Sequence, residues 1–567
     1  MNADGLLRHY ERVADSPEAV GQLRRFVLEL AVQGKLVAPD TSDESADPLL
    51  AEVARERVRR IAAGEFQEPT SVVRTARDAL PFRPAPHWRW VRLIDVAQPS
   101  YGFAFASAQF NSVKRGMPLI RIRDISAADT EAYFDGDFDP AYLVRAGDYV
   151  VGMDGDFNLR RWSGITGLLN QRVLRLNGWR SRVDPEFIKL PLQFVLDYLH
   201  GQTSQTTVKH LSAKQVNGIE IPLPPVAEQH RIVAKVNELM ALCDQLEAVR
   251  AEREAARDRL TAASLARLNA PDPGTFTDDA RFAIDVLPAI AARPDQVTQV
   301  RQTILNLAVR GQLVLPMADD EPAIQLLKRM AAERGASDAV RHARAAELGT
   351  PFPVDEIDLS LPAGWGWVRA HNATRPGQTI TYGILKPEWV DDGVPTVRVS
   401  EMKSGTIDIR TLPRCTPSRA SKFEKTRLEV NDLLVSKDGT VGKTAFVPEG
   451  LEGGNITQHV LRFPVSNVID RHFVRLFIDS PVCQRWLSGE TKGVALQGVN
   501  VGDFRRMPIP LPPLGEQRRI VRRVDELMRL CDLIEASLLK GADKRRRLLE
   551  SLLKEALDPA NVHLEVA

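Results

Sequence analysis

Apolar residues recur at three- and four-residue spacings along two stretches of the chain, with charged residues between them. In the first stretch, 226–269, they are Ile232, Val233, Val236, Leu239, Met240, Leu242, Cys243, Leu246 and Val249. In the second, which begins just after Pro513, they are Ile520, Val521, Val524, Leu527, Met528, Leu530, Cys531, Ile534 and Leu538. This spacing predicts two amphipathic helices. A helix of about 44 residues would be about 65 Å long.

The apolar stripe of such a long helix has to be shielded from water by another part of the protein. One possibility is that each helix lies on its own globular domain as a core helix. Because two such helices with matching faces occur in one chain, we favour their pairing as an antiparallel coiled coil. Cys243 and Cys531 fall on the stripe, so we interpret them as small buried apolar residues rather than reactive thiols.

The two helices belong to a larger internal repeat. Residues 23–39 return as residues 300–316, and the same offset of 277 carries Trp88-Arg-Trp90 onto Trp365-Gly-Trp367. Residues 222–229 return as 510–517, at an offset of 288. The middle of the repeat therefore varies in length while its ends keep their pattern.

Each repeat is predicted to have three parts. An opening helix ends at a glycine and a proline, Gly34 and Pro39 in the first copy and Gly311 and Pro316 in the second. A stretch of short Val/Ile/Phe runs broken by turn residues follows, and it is typical of a compact α+β domain. In both copies this stretch opens with a Trp-x-Trp strand that we expect to be anchored in a core. The long helix closes the repeat.

These parts define the predicted domains and the fold class. The class is α+β, with two domains in pseudo-twofold repeat joined by a long antiparallel two-helix coiled coil. The predicted limits are an N-terminal helical segment at 1–80, the first domain at 81–221, a central helical region at 222–350, the second domain at 351–509 and a C-terminal long helix at 510–567. The central region divides into the long helix 226–269, a linker at 270–295 and a helical part at 296–347.

Composition and charge limit the classes of function. The chain is 44% hydrophobic and 26% charged with a formal net charge of +1, so its overall field neither favours nor excludes a nucleic acid. No window is apolar enough to span a membrane and no signal peptide precedes the first helix, so we expect a cytoplasmic protein without a membrane partner. The four cysteines have no metal-ligand spacing, and we predict no metal and no cofactor.

The run Pro-Leu-Pro-Pro-x-x-Glu-Gln-x-Arg-Ile-Val occurs twice, within residues 222–233 and 510–521. Similar tails follow it, Glu-Leu-Met-Ala-Leu-Cys-Asp at 238–244 and Glu-Leu-Met-Arg-Leu-Cys-Asp at 526–532. With these motifs the chain resembles the specificity subunits of Type I restriction-modification systems, in which two target-recognition domains are separated by a central helical region. The resemblance covers most of the chain and is weakest at residues 1–80 and about 270–295.

The resemblance implies a function. Such a subunit chooses the DNA sequence, each target-recognition domain reads one half of a bipartite asymmetric target, and the helices set the gap. Two methylation subunits dock on the helices, and translocating restriction subunits can join them. The subunit is not an enzyme, and no Asn/Asp-Pro-Pro-aromatic methylation motif occurs in this sequence. We therefore predict no catalytic residue and expect double-stranded DNA as the ligand.

The first candidate DNA surface is a pair of Asp-Gly turns. Asp154-Gly155 and Asp438-Gly439 each end a predicted buried strand and are predicted to open a hairpin. Polar residues near these turns are candidate DNA contacts: Asn158, Arg160 and Arg161 in the first repeat, and Lys437, Thr440 and Lys443 in the second. Residues 439–444 resemble the end of a P-loop, but Lys437 stands where its first glycine is needed, and we reject nucleotide hydrolysis.

Two further surfaces are candidates. In Leu119-Ile-Arg-Ile-Arg123 a period of two predicts a strand with Arg121 and Arg123 on one face, and Arg398 is the counterpart of Arg121. These arginines could contact guanine or pair with a neighbouring carboxylate such as Asp124 or Glu401. The polar loops before each Pro-Leu-Pro-Pro run add Gln205 and Lys209 in the first repeat and Lys492, Gln497 and Asn500 in the second. For the hairpins and these loops the alternative is ordinary solvation.

A rival function of another class is a protein-interaction scaffold built on the same duplicated helical frame, without DNA. The near-neutral charge favours it, because phosphate contacts normally come from Lys and Arg. An intrinsic methylation or ATPase activity is a third possibility, which the missing motifs argue against.

Overall fold

The structure is a computed structural model that describes residues 18–65, 68–202, 209–269, 274–337, 357, 359–403, 405–490 and 498–557. Its internal contacts divide the chain into two compact units. Unit 1 comprises residues 1–252 and 543–567, and unit 2 comprises residues 253–542. The division falls inside the two long helices, whereas the predicted domain limits at 81, 222, 351 and 510 remain predictions.

Helices of unit 1 frame a set of short strands. The helices are α1 (Ala19–Gln33), α2 (Ala46–Ala62), α3 (Leu93–Val96), α4 (Pro185–Gln202) and α5 (Ala213–Asn217), followed by the first part of α6 (Val226–Asn269). The strands are β1 (Arg89–Arg92), β2 (Gln98–Tyr101), β3 (Phe110–Asn111), β4 (Met117–Ile120), β5 (Tyr133–Phe134), β6 (Leu143–Val144), β7 (Tyr149–Gly152), β8 (Leu159–Arg161), β9 (Gly167–Leu169), β10 (Val173–Asn177) and β11 (Glu220–Leu223).

Unit 2 repeats this order. Its helices are the end of α6, α7 (Phe276–Asp285), α8 (Leu287–Ile290), α9 (Pro294–Val309), α10 (Ala323–Ser337), α11 (Pro417–Ala420), α12 (Arg471–Asp479), α13 (Pro481–Glu490), α14 (Val501–Arg506) and most of α15 (Leu514–Leu557). Its strands are β12 (Gly366–Arg369), β13 (Thr381–Tyr382), β14 (Trp389–Val390), β15 (Val394–Val397), β16 (Met402–Lys403), β17 (Thr406–Ile407), β18 (Arg414–Cys415), β19 (Leu433–Ser436), β20 (Thr444–Phe446), β21 (Asn455–Ile456), β22 (Val460–Phe463) and β23 (Pro508–Leu511).

Two sheets have the same strand order in both units. One sheet runs β2-β10-β7-β8 in unit 1 and β13-β22-β19-β20 in unit 2. The opening strand pairs antiparallel with the strand that carries the proline run, as β1 with β11 and as β12 with β23. The α+β class and the duplicated domains predicted from the sequence are confirmed, and the long helix between the domains has the predicted bounds of 226–269.

The proline run ends a strand and starts a helix. Pro222 lies in β11 opposite Trp90, and α6 begins directly after Pro225. The next residues fasten the helix to the domain, because Gln229 accepts a bond from the Asp184 amide at 2.9 Å and donates one to the Pro224 carbonyl at 3.0 Å. The second copy has the same pair of bonds at Gln517, to Asp470 and Pro512. The repeated motif is therefore a joint between sheet and helix.

The opening helix ends at a glycine because of a close approach. Gly34 has a φ of +67°, and a Cβ there would lie 2.8 Å from the Ala85 Cβ and 2.9 Å from the Trp88 Cζ2. Gly311 has a φ of +69° and the same tight contact with Trp365. Only glycine satisfies both the left-handed backbone and the packing. The predicted helix stops at Gly34 and Gly311 are confirmed.

The first half of each long helix packs on the opening helix of its own repeat. Ile232 and Val236 of α6 share a core with Val27 and Ala31 of α1. An ion pair accompanies this packing, in which Arg24 Nη2 lies 2.5 Å from an Asp244 oxygen. Leu242 and Val249, placed on the buried stripe by the sequence pattern, are 46% and 66% exposed, so that part of the prediction is wrong.

The second copy has the same arrangement. Ile520 and Val524 of α15 share a core with Ile304 and Ala308 of α9, and Arg301 Nη2 lies 2.8 Å from an Asp532 oxygen. Leu530, predicted to be buried, is 54% exposed. Cys243 and Cys531 are buried as predicted. Pairing of the two long helices with each other stays a prediction.

The other half of each long helix lies in the other unit. Leu265 and Leu268 of α6 pack with Ala283 and Ile290, which belong to α7 and α8. These two helices lie within 270–295, so the interpretation of that segment as a linker is wrong. Near the other end of the chain, Leu549 and Leu552 of α15 pack with Ala19 of α1.

Candidate nucleic-acid interface

The Asp-Gly turn of unit 1 connects β7 to β8, which are antiparallel with Val150 opposite Arg160, as the sequence predicted. All of β7 is buried, whereas Arg160 and Arg161 of β8 are exposed and Asn158 is half-buried. Arg161 Nη1 lies 3.4 Å from a Glu186 oxygen. Glu186 also accepts a 2.7 Å bond from Tyr149, and burial together with this carboxylate raises the pKa of Tyr149. The hairpin thus presents two guanidinium groups on β8, which pairs with the buried strand β7.

The equivalent turn in unit 2 connects β19 to β20. Gly439 and Thr440 are exposed, Lys437 and Lys443 are half-buried, and Thr444 is buried with its hydroxyl bonded to Asp479 at 2.7 Å. Residues 439–444 lead into a strand rather than a helix, so the rejection of a P-loop is confirmed. Because Thr444 is buried, it is not among the outward polar residues of this turn.

At the first turn, Asp154 is in contact with two basic side chains. The His210 Nδ1 lies 2.6 Å from one of its oxygens and the Arg172 Nε lies 3.2 Å from the other. Residues of the following polar loop reach the same place, because the Gly155 amide donates to the Lys209 carbonyl at 3.0 Å. We call Asp154, Arg172 and His210 the Asp154 site.

Asp438 has the same role at the second turn. Its Oδ2 lies 2.7 Å from Lys437 Nζ and 2.8 Å from His459 Nδ1. Asp438 forms a backbone bridge with Gly498, as Asp154 does with His210. We call Asp438, Lys437 and His459 the Asp438 site.

A cleft adjoins the Asp438 site. It has a volume of about 560 Å³ and is lined by residues that include Trp389, Arg398, Gln458 and His459. Trp389 is 44% exposed, and the Arg398 guanidinium carbon lies 5.8 Å from its ring centroid. An exposed indole beside guanidinium, amide and imidazole groups suits a ligand with flat rings and polar edges.

Arg121 and Arg398 differ from their prediction. Strand β4 ends at Ile120 and residues 122–124 form a 3₁₀ turn, so the predicted alternation of a strand is wrong. Arg121 instead closes the turn by pairing with Asp124 at 3.0 Å, and Arg398 pairs with Glu401 at 2.7 Å. Burial opposes ionisation of Glu401, but the bonds from Arg398 and Ser400 outweigh it and lower the pKa of that carboxyl. Arg121 and Arg398 therefore pair with carboxylates, which is the alternative that the sequence left open. Arg123 is exposed.

The polar loops are described only in part. Lys209 is half-buried, with its Nζ 3.5 Å from the His200 Nδ1, and Asn500 is exposed at the start of α14. Gln205, Lys492 and Gln497 lie outside the described residues. Sequence reasoning missed Arg172, His210, His459 and Trp389. The signal for two of them was present, because Val173-Leu-Arg175 repeats as Val460-Leu-Arg462 and places Arg172 in register with His459.

Other kinds of site find no support. Within the described ranges no cluster of three His, Cys, Asp or Glu side chains is arranged to hold a metal ion. Over those same ranges no helix has the length and apolarity needed to cross a bilayer.

Comparison with known proteins gives a consistent family. The sequence profile of the Type I restriction modification DNA specificity domain matches residues 87–254 and 384–541. The chain is 29% identical to the EcoBI specificity subunit of Escherichia coli, over 83% of this chain and 86% of that protein. It is 26% identical to the EcoEI specificity subunit of the same organism, over 95% and 94%. The crystal structure of the HsdS subunit from Thermoanaerobacter tengcongensis covers 84% of this chain with 98% of its own, at 18% identity and a TM-score of 0.39.

The two matched regions span more than half of the chain, and one falls in each of the two repeats. The protein therefore belongs to the family of Type I restriction-modification specificity subunits. Subunits of this family are not catalysts. The resemblance noted in the sequence is confirmed.

Proposed function

We propose that this chain selects the DNA sequence on which a Type I restriction-modification complex acts, each domain reading one half of a bipartite asymmetric target. The observation that carries the proposal is the pair of repeated hairpins, which join equivalent antiparallel strands and differ in their outward side chains. Arg161 of the first hairpin has no basic counterpart in β20, where Phe446 stands at the same position of the strand pair. Different groups on one frame suit two different half-sites.

The proposed DNA contacts fall at the two turns and around them. In unit 1 they are Arg121, Arg123, Asn158, Arg160, Arg161 and Lys209, and in unit 2 Arg398, Lys437, Thr440, Lys443 and Asn500. Gln205, Lys492 and Gln497, outside the described residues, complete the set. Lys and Arg among them are suited to phosphates or guanine edges, and the amides to adenine edges.

The long helices are proposed to set the gap between half-sites and to dock two methylation subunits. Leu242 of α6 and its repeat counterpart Leu530 of α15 are 46% and 54% exposed. With Val249 of α6 and Leu533 of α15, which are each 66% exposed, they give each long helix more than one exposed apolar side chain, and this supports one docking surface per repeat. Restriction subunits would join the same complex.

The test uses the chain assembled with its methylation subunits and a pool of random duplexes. Sequencing of the bound fraction is expected to yield two short, different motifs at a fixed separation, with affinity falling as salt rises. Binding of no duplex at any salt concentration, together with stable assembly of the protein subunits, would instead favour a scaffold that acts without DNA.

A further inference from the structure

We propose that residues 172 and 459 are specificity-determining positions, one in each domain, and that Asp154 and Asp438 are positioning residues that hold their side chains toward base edges. The proposal rests on the proposed function and deepens it. It assigns a guanine to Arg172 in the first half-site. It assigns the corresponding position of the second half-site to His459.

The two positions are equivalent in the backbone of their domains. The Met153 amide donates to the Arg172 carbonyl at 2.9 Å, and the Lys437 amide donates to the His459 carbonyl at 2.9 Å. Each residue stands just before an inner strand of its sheet, β10 or β22. The amide of the next residue closes a turn there, from Val173 to the Asn170 carbonyl and from Val460 to the Thr457 carbonyl. The frame that presents residue 172 therefore also presents residue 459.

Both sites have an aspartate, but the basic residue that is paired with it differs. Arg172 reaches Asp154 through Nε at 3.2 Å, and His459 reaches Asp438 through Nδ1 at 2.8 Å. The basic side chains are 50% and 43% exposed, whereas the aspartates are 21% and 15% exposed. The surface thus presents mainly the cation or imidazole, and the carboxylate fixes its orientation from below.

Because Arg172 and His459 are each paired with a carboxylate, we expect them to contact DNA bases rather than backbone phosphates. The aspartate beside Arg172 offsets the charge of the guanidinium and weakens its non-directional attraction to the DNA backbone. Directional hydrogen bonding remains, because a guanidinium held through Nε keeps terminal N–H groups in the fork that matches guanine O6 and N7. A phosphate is the same at every half-site, whereas the donor group here changes between domains.

Neighbouring residues support the same face. Gln171 and Gln458 precede the two positions in the same turns, and an amide is suited to a base edge. The second basic group differs as well, His210 at the Asp154 site and Lys437 at the Asp438 site. The two sites therefore differ in each basic group while the aspartate is kept.

The first experiment compares the wild-type complex, assembled with its methylation subunits, with Arg172→Gln, Arg172→Lys and His459→Arg complexes by sequencing of duplexes bound from a random pool. For Arg172→Gln we expect discrimination at one base pair of the first half-site to fall about 5- to 100-fold or to move to adenine, with the second half-site unchanged. Arg172→Lys keeps the charge and should still lose discrimination there. His459→Arg should change one position of the second half-site alone. Arg25→Gln, which changes an exposed arginine paired with Glu29 on α1, is the matched control.

The second experiment tests the positioning role through base preference, which a merely structural role would not move. Asp154→Asn is expected to reduce discrimination at the same base pair as Arg172→Gln, and the double variant should be no worse than Arg172→Gln alone. A uniform loss of affinity over all sequences, with a smaller salt slope, would overturn the proposal in favour of a phosphate contact. Unchanged motifs in every variant would overturn it as well. If the wild-type complex itself selects no sequence, the proposed function fails, and that outcome is distinct from the others.

Discussion

Trp88 and Glu228 join the two ends of the first domain across 140 residues of chain. The indole Nε1–H of Trp88 donates to Oε1 of Glu228 at 3.0 Å, and Trp365 donates to Glu516 at 3.1 Å in the second domain. Glu228 is 1% exposed and its other oxygen lies 2.8 Å from the His87 Nε2. The glutamate of the proline motif is thus a buried acceptor that ties the opening strand to the start of the long helix.

Replacing Glu228 by leucine should destabilise the first domain by about 1–3 kcal/mol, because the buried indole N–H would lose its acceptor. Urea unfolding followed by tryptophan fluorescence measures the change. Glu228→Gln, which keeps a carbonyl oxygen, is the matched control and should cost clearly less. Equal losses for the two variants would mean that the bond to Trp88 contributes nothing.

The ends of each repeat were predictable from the sequence because local physics and packing agree there. Gly34 combines a helix stop with a close approach, and the prolines at 222–225 can end a strand and start a helix in few other ways. The long periodic stretch 226–269 gave a helix with the observed bounds. The helix that packs on the apolar stripe of α6 was harder to predict. Val27 of α1 covers this stripe, but the sequence pattern fits a cover by the second long helix equally well.

The candidate surface was only partly predictable. The turns at Asp154 and Asp438 follow from strand patterns. Of the basic residues that contact these aspartates, only Lys437 is a neighbour in sequence, whereas His210 is 56 residues from Asp154. At Arg121 the prediction from the alternating pattern was wrong. Arg121 pairs with the carboxylate of Asp124, three residues further on, and the backbone between them forms a 3₁₀ turn. A period of two over five residues does not exclude such a local cap.

Tyr101 and Tyr149 should respond oppositely to replacement by phenylalanine. Over the described residues the Tyr101 hydroxyl is buried without a hydrogen-bond partner, whereas the Tyr149 hydroxyl donates to Glu186 at 2.7 Å. We expect Tyr101→Phe to leave the free energy of unfolding unchanged or raise it by about 1 kcal/mol, and Tyr149→Phe to lower it by about 1–2 kcal/mol. Thermal unfolding of the two variants checks this, and a loss for Tyr101→Phe would reveal an unrecognised partner.

Alkaline pH gives a second test of Tyr101. Burial raises the pKa of its phenol to about 12, against about 10 in the unfolded chain. A raised pKa means that the fold favours the protonated phenol, so this contribution is complete below about pH 10 and is lost as the pH rises toward 12. The stability of Tyr101→Phe should therefore fall less steeply over that interval, as measured by urea unfolding at several pH values.

Arg160 is expected to contact a phosphate rather than a base. It is exposed on β8, and its Nη1 bonds only weakly, at 3.4 Å, to the adjacent Leu159 carbonyl. Arg160→Gln should weaken binding of the assembled complex to every duplex and reduce the slope of log affinity against log salt by about 1. Binding titrations at several salt concentrations measure the slope, with Arg25→Gln as control. A change in the selected sequence would contradict a phosphate contact.

The length of the long helices should determine the gap in the target. Helix α6 passes from unit 1 to unit 2 after Glu252, and α15 passes from unit 2 to unit 1 after Ala542. Seven helical residues inserted at both points add about 10 Å and turn each helix by nearly two whole turns, so buried faces keep their direction. Since DNA rises about 3.4 Å per base pair, the half-sites should move apart by about three base pairs with their sequences unchanged. Mapping of methylated adenines in DNA treated with the assembled complex measures the gap. An insertion of the same seven residues in α6 alone should impair assembly, and an unchanged gap in the double insertion would show that these helices do not set it.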